Sequence, residues 1–361
     1  MSDDLLKRTP LYGKHCEAGA RMVPFSGWNM PVQYTGIIEE HLHTRSKAGL
    51  FDICHMGELF IRGSSAEQDL DRLMTCDIKG LVDGRCRYGF LLNREGGIID
   101  DVIVFRISAR EYMMVVNAGT VESDGKWIRS NLSSGTDLSD GSADIAKLDL
   151  QGPLSTEVTG SVFGSSAVRA IKRFFFINAG FKGVDVMISR TGYTGETGYE
   201  MFFSASAAGE LWDVLMSFGS VRPAGLGARD SLRMEMGYSL YGHDIDVEHT
   251  PAEAGLGKFV RMEKDFIGKK KLLEQAEHGF GRVLAGFVCE GRRAARENYL
   301  AKVDNIEAGR VTSGTFSPCL KKGIGLCYID REFAVEGREI TLTRGGVEIR
   351  ANIRKPPFVR K

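Results

Sequence analysis

Short apolar runs broken by glycine set the limits on what this chain can fold into. "RYGFLLN", "DDVIVFRI" and "EYMMVVNAG" follow one another between Arg87 and Gly119, and the pattern predicts an antiparallel meander. In the final third, "RVLAGFVCE", "EAGRVTSGTFSP", "KGIGLCYID" and "REITLTRGGVEIRANIRK" alternate in the same way, which predicts a small all-β unit. A chain with 44 glycines and 9 prolines and no Gly-rich tract uses its glycines in tight turns between such strands. Helical spacing interrupts the strands at Gly36–Gly49, Ala66–Thr75, Ala208–Phe218 and Ala228–Leu240. The fold class is therefore α+β, antiparallel sheets with flanking helices. A chain of 361 residues needs more than one core, with one boundary near Glu277–Gly281.

Lysine plus arginine equals aspartate plus glutamate at 47 each, which argues against nucleic acid as a partner held by bulk charge. No apolar run is long enough to span a bilayer, so no membrane partner is expected. The start, "MSDDLLKRTP", has no signal-peptide core, and the seven cysteines show no C-x-x-C pair. Both features point to a cytoplasmic protein with reduced thiols.

Familiar signatures are missing. "GLGARD" has Asp230 where a dinucleotide fingerprint needs its third glycine, and "AGLGKF" lacks the first P-loop glycine. "YGHDIDVEH" gathers His243, Asp244, Asp246, Glu248 and His249 at a spacing that fits no zinc motif, so it reads as a polar loop and no metal is expected.

Other stretches carry tension. "REGGIIDDVIVF" puts Asp100 and Asp101 at the start of an apolar strand, where aspartate is disfavoured. Strand neighbours face opposite ways, so at least one carboxylate lies beside a core. A cap on the Gly96-Gly97 turn explains one aspartate; a ligand cavity explains the other. "SRTGYTGETGYE" packs tyrosines and glutamates among glycines, and Arg229 and Arg233 lie four apart, on one helix face. Two like charges there repel unless a carboxylate of the protein or a ligand intervenes. Arg292, Arg293 and Arg296 read as a solvated basic loop. Aromatics, glutamates and arginines on one cavity would suit a flat, polar heterocycle with an acidic tail.

Eight blocks in order, from "TPLYGKHCEAGARMVPFSGWNMPVQY" through "FDICHMGEL", "GGIIDDVIVF", "VVNAGT", "RTGYTGETGYE", "RPAGLGARDSLRMEMGYSLYGHDID" and "TSGTFSP" to "KPPFVRK", resemble the aminomethyltransferase family, the T-proteins of the glycine cleavage system. The resemblance implies a three-domain cloverleaf around a central folate-binding hole. Its parts would be residues 1–50 with 140–277, residues 51–139, and a C-terminal barrel over 278–361. It implies transfer of the methylene of an aminomethyl group on lipoylated H-protein to tetrahydrofolate, giving methylenetetrahydrofolate, ammonia and the reduced lipoyl arm. By motif, the key carboxylate falls on Asp101. Folate contacts fall on Tyr88, Asn117, Tyr193, Glu200, Arg229, Arg233 and Tyr238, and Arg292, Arg293 and Arg296 lie where the lipoyl arm enters. Asp100 is then left to the turn. Cys54 and His243 stand where relatives commonly have serine and glutamine. An alternative within the same fold is a folate-dependent demethylase of a small methylated compound. A non-catalytic folate-binding protein of the iron–sulfur assembly type would carry a cysteine where this chain has Tyr193.

Overall fold

The computed structural model describes residues 5–360; the acidic start, Met1–Asp4, lies outside the described residues. The helices are α1 (Tyr12–Glu17), α2 (Ile37–Ser46), α3 (Ala66–Leu73), α4 (Val121–Ser130), α5 (Ser155–Phe163), α6 (Ser165–Ala170), α7 (Ala208–Met216), α8 (Leu226–Met236) and α9 (Lys269–His278). None is long and apolar enough to cross a membrane. The strands begin with a hairpin, β1 (Arg21–Phe25) and β2 (Trp28–Gln33). A five-stranded sheet has the order β5-β6-β7-β4-β8, from β4 (Gly57–Gly63), β5 (Arg85–Leu92), β6 (Ile98–Ser108), β7 (Glu111–Val116) and β8 (Thr136–Asp140). Consecutive β5, β6 and β7 are neighbours, which is the meander the apolar runs predict.

A six-stranded sheet has the order β10-β11-β12-β9-β3-β13. Its strands are β3 (Ala48–Asp52), β9 (Ile145–Gln151), β10 (Phe176–Phe181), β11 (Val184–Ser189), β12 (Gly198–Ser204) and β13 (Val221–Pro223). The pairs are antiparallel except β13 with β3. One helix expectation overran here. Helix α2 stops at Ser46, and the residues around Gly49 form β3. That strand is hydrogen-bonded on both sides and buried at every position, so it lacks the alternation that marks a half-buried strand.

The chain closes with a six-stranded barrel, β14-β17-β16-β15-β18-β19. These are β14 (Arg282–Cys289), β15 (Leu300–Val303), β16 (Ile306–Ser317), β17 (Lys322–Asp330), β18 (Glu339–Arg344) and β19 (Val347–Ile353). Pairing of Phe287 with Ile353 and of Cys289 with Ala351 shuts it, so its strands have no exposed edge. Phe287, Val311, Cys327, Ile329, Leu342 and Ala351 fill the interior.

Two compact units emerge. The first runs to Leu73 and includes Asp77–Gly89 and Val102–Arg229; the second comprises Met74–Cys76, Phe90–Asp101 and the chain from Asp230 on. The first unit's main core lies on the six-stranded sheet, where Leu50, Leu148, Leu150, Ile188, Tyr199 and Met201 meet Leu211 and Trp212 of α7.

Candidate active site

In the first unit, the six-stranded sheet carries a row of polar residues where apolar ones would be expected. Asp149 of β9 stands opposite Glu200 of β12, and Glu200 stands opposite Ser189 of β11. All three are buried, Asp149 and Ser189 fully and Glu200 at 7% exposure. Buried carboxylates persist only when paired or hydrogen-bonded, and these are. Arg229 donates to Asp149 Oδ2 at 2.7 Å, and Gln151 Nε2 donates to Asp149 Oδ1 at 2.6 Å. Thr191 Oγ1 donates to Glu200 Oε2 at 2.5 Å and lies 2.6 Å from Ser189 Oγ. Burial and the nearby Glu200 charge push the Asp149 carboxyl up to about 7, against the pull of Arg229.

The glycines of "RTGYTGETGYE" explain themselves around Gln151. Its side chain fills the inside of the loop that joins β11 to β12: Nε2 also donates to Thr191 O at 3.0 Å, and Oε1 accepts from Thr194 Oγ1 at 2.6 Å. A Cβ on Gly192 would lie 2.1 Å from Gln151 Nε2, and one on Gly198 2.0 Å from it. From outside, Arg45 of α2 donates to Thr194 O and pairs with Glu196 at 2.9 Å. Tyr193, at the loop's tip, has the Arg229 guanidinium 5.1 Å from its ring centre.

A second buried polar group adjoins it in sequence. Lys147, two residues before Asp149, lies 3.4 Å from Glu58, and both side chains are 1% exposed. The Lys147 ammonium also sits 5.1 Å from the centre of the Phe202 ring. Burial pushes Glu58 up to about 7 although Lys147 favours its charge. Burial also pulls His55 down to about 3, with Arg229 and Lys147 lowering it further against the pull of Asp52.

Asp100 and Asp101 sit two residues inside β6. Exposure alternates along the strand, so Asp100 shares the buried face of Ile98, Val102 and Val104, and Asp101 shares the half-buried face of Ile99 and Ile103. The turn before them is capped by Asn93, whose Oδ1 accepts from the backbone N–H of Glu95 and of Gly97, both at 2.9 Å. Asn93 thus supplies a cap for this turn that the sequence did not single out. Tyr88 lies half-buried on β5, and Asn117 lies half-buried just past β7, where its carbonyl accepts from Thr120.

In the second unit, Arg233 is a buried clamp. Its guanidinium donates to Asp230, to Asp244, to Tyr238 O and to Ser313 of the barrel strand β16, at 2.7–3.0 Å. Tyr238 is half-buried, and its backbone is held by this contact. Asp244 further accepts from Thr312 and Ser313. The polar loop is thus built into the protein: Asp246 accepts from His249, whose ring stacks on Tyr328 at 3.9 Å. His243 is exposed, 3.5 Å from Glu297. Arg292, Arg293 and Arg296 are exposed; Arg292 lies over the Phe316 ring and Arg296 donates to Gly314 O.

Glu200 and Arg229 therefore share one hydrogen-bonded network in the first unit, with the Tyr193 ring beside the Arg229 guanidinium, and Arg233 with Tyr238 forms another in the second. Arg229 pairs with Asp149, and Arg233 pairs with Asp230 and Asp244. Asp149, Gln151, Thr191 and Thr194 were missed by the sequence reading. The signal was present in "AKLDLQGP", where Lys147, Asp149 and Gln151 alternate with Ala146, Leu148 and Leu150 on a strand buried at nearly every position.

Residues 11–264 match the GCVT N-terminal domain, and residues 282–360 match the glycine cleavage T-protein C-terminal barrel domain. The chain is 44% identical over 358 residues to an aminomethyltransferase of Halothermothrix orenii, covering 98% of this chain and 100% of that one. It is 42% identical over 360 residues to an aminomethyltransferase of Desulforamulus reducens, with 99% of each chain covered. The crystal structure of glycine cleavage system aminomethyltransferase T from Bartonella henselae matches with a TM-score of 0.92 at 33% identity, over 98% of each chain. With both domain families in tandem and relatives matched end to end, the chain belongs to the aminomethyltransferase family, the T-proteins of the glycine cleavage system.

Proposed function

We propose that the protein transfers the methylene of an aminomethyl group, carried on the lipoyl arm of H-protein, to tetrahydrofolate. Two folate nitrogens form bonds to the carbon, and its bonds to the amine nitrogen and the lipoyl sulfur break. The two protons lost from folate leave on ammonia and on the lipoyl thiol. The observation that carries this reading is the buried Glu200 carboxylate, held by Thr191 beside the Tyr193–Arg229 pair. A carboxylate accepts two parallel N–H bonds, which suits the donor edge of a pterin, and a tyrosine ring suits its face. Tyr88, Asn117 and Tyr238 are proposed as further folate contacts. Arg229 would serve through its charge beside Tyr193, and Arg233 by holding Tyr238. No metal is invoked, and a cytoplasmic location belongs to the same proposal.

Asp101 is the proposed reacting-centre carboxylate. Half-buried on a strand, it can stabilise positive charge that develops on a folate nitrogen, or hold a proton in transit. Holding both reactants in place supplies much of the remaining rate effect. The exposed Arg292, Arg293 and Arg296 would receive the H-protein near its lipoyl arm.

The test is methylenetetrahydrofolate formation from tetrahydrofolate and aminomethyl-loaded H-protein, with the carrier then omitted. Product only with the carrier supports the proposal. Folate binding without carrier-dependent product overturns the reaction and directs attention to small methylated donors. Asp101→Ala should abolish most turnover while the protein stays folded; unchanged turnover would remove Asp101 from the mechanism.

A further inference from the structure

The buried polar row on β9 does more than fill space. Asp149 is fully buried within a central strand pair, opposite a second carboxylate. Desolvating such a charge costs several kcal/mol, and an apolar side chain of similar size would serve stability at least as well. What Asp149 secures is specific: the Arg229 guanidinium at 2.7 Å and the Gln151 amide at 2.6 Å. Gln151 in turn grips the 191–197 loop at Thr191 and Thr194, and Gly192 and Gly198 leave it the room to do so. Thr191 then orients Glu200. From Asp149, one contact reaches Arg229 and a second reaches the Tyr193 ring; through Gln151 and Thr191 the chain of contacts reaches Glu200.

We infer that Asp149 and Gln151 are positioning residues for folate recognition: without touching the substrate, they fix Arg229, Tyr193 and Glu200 in the arrangement that reads the pterin ring. The inference rests on the proposed folate chemistry. It goes beyond it in naming the two residues that the recognising side chains depend on. The logic is that of outer-shell residues elsewhere, which hold the groups in direct contact within a fraction of an ångström of their working geometry. Asp149 acts as the acceptor that holds the Arg229 guanidinium at 2.7 Å and, when ionised, as its counter-charge. Gln151 acts by shape, because its amide replaces the missing interior of the loop.

The experiment uses Asp149→Asn, which keeps size and hydrogen-bonding capacity but removes the charge, and Gln151→Met, which keeps volume but removes the amide. Tetrahydrofolate affinity is measured by direct titration, and turnover is measured with loaded H-protein. Both variants should fold and melt as single transitions. Each should weaken tetrahydrofolate affinity and raise its KM about tenfold, equivalent to ~1.4 kcal/mol of binding. Values of kcat and of KM for H-protein should change much less. A folded variant with wild-type tetrahydrofolate affinity and KM overturns the inference. So does a loss spread evenly over kcat and both KM values, which is the signature of general loosening. Direct titration separates this from the reaction itself: wild-type protein that binds folate but gives no carrier-dependent product overturns the proposed reaction, and the variants' affinities still decide the role of Asp149 and Gln151. Wild-type protein that does not bind tetrahydrofolate overturns both.

Discussion

Asp149 and Glu200 face each other in register across β9 and β12, two carboxylates on a buried stretch of sheet. Like charges in that position destabilise a strand pair, and Arg229 offsets only part of the effect. Asp149 consequently sits up at about 7. For a carboxylate raised above its ordinary value, the stabilising contribution is full below that ordinary value and is lost as pH rises through the folded one. Replacing Asp149 with asparagine removes this dependence. The melting temperature of wild type relative to Asp149→Asn should therefore fall between pH 5 and pH 8. Parallel melting curves across that range would contradict the assignment.

His55 behaves in the opposite sense. Burial holds it down to about 3, so it stays neutral throughout the working range, with its ring edge-on to Phe25 at 5.5 Å. The unfolded chain takes up a proton at this residue near pH 6.5 and the folded protein does not, so His55 lowers stability as pH falls below that value. Histidine resonances of labelled protein should include one that fails to titrate down to pH 4. If every resonance moves with a midpoint near 6.5, His55 is solvated and the buried polar group is wrongly described.

Gly198 offers a test of the packing around Gln151. A Cβ there would sit 2.0 Å from Gln151 Nε2, and the amide can move aside only by giving up Asp149, Thr191 and Thr194. Gly198→Ala should destabilise the protein by about 2 kcal/mol, within the range for overpacking and lost buried hydrogen bonds. Gly180, on β10 of the same sheet, has nothing within 4 Å of its would-be Cβ. Gly180→Ala should be neutral or slightly stabilising, because alanine restricts the unfolded chain. Equal effects at the two sites would show that Gln151 is not wedged in the loop.

Much of this was legible in sequence because periodicity reports burial. The meander and the C-terminal all-β unit follow from alternation and glycine spacing, the closure of that unit into a barrel came only with the family resemblance, and the paired aspartates of β6 stood out because both neighbouring faces are apolar. Two things were illegible for a physical reason. Strand β3 is buried on both faces, so no alternation separates it from the end of α2. The Gly96-Gly97 turn is held by Asn93, four residues before Gly97, and nothing in the spacing singles out that contact. Lys147, Asp149 and Gln151 carried the same signal as the aspartates but on a strand already explained as core. Their partners, Glu58, Arg229 and Thr194, come from distant segments, and only the fold brings them in.

Arg233 separates a clamp from a ligand contact. Four hydrogen bonds tie it to Asp230, Asp244, Tyr238 and Ser313, and its side chain is 3% exposed. Replacing it with methionine leaves the Asp244 carboxylate, itself fully buried, without its cation. Breaking a buried pair from one side costs about 3 kcal/mol or more. Asp244→Asn on top of Arg233→Met should recover a substantial part of that loss, because the stranded charge disappears; the two single losses then fail to add. Tetrahydrofolate affinity of any variant that still folds should fall less than its stability does. A variant of wild-type stability that has lost folate binding would instead make Arg233 a direct contact and remove its role as the second unit's clamp.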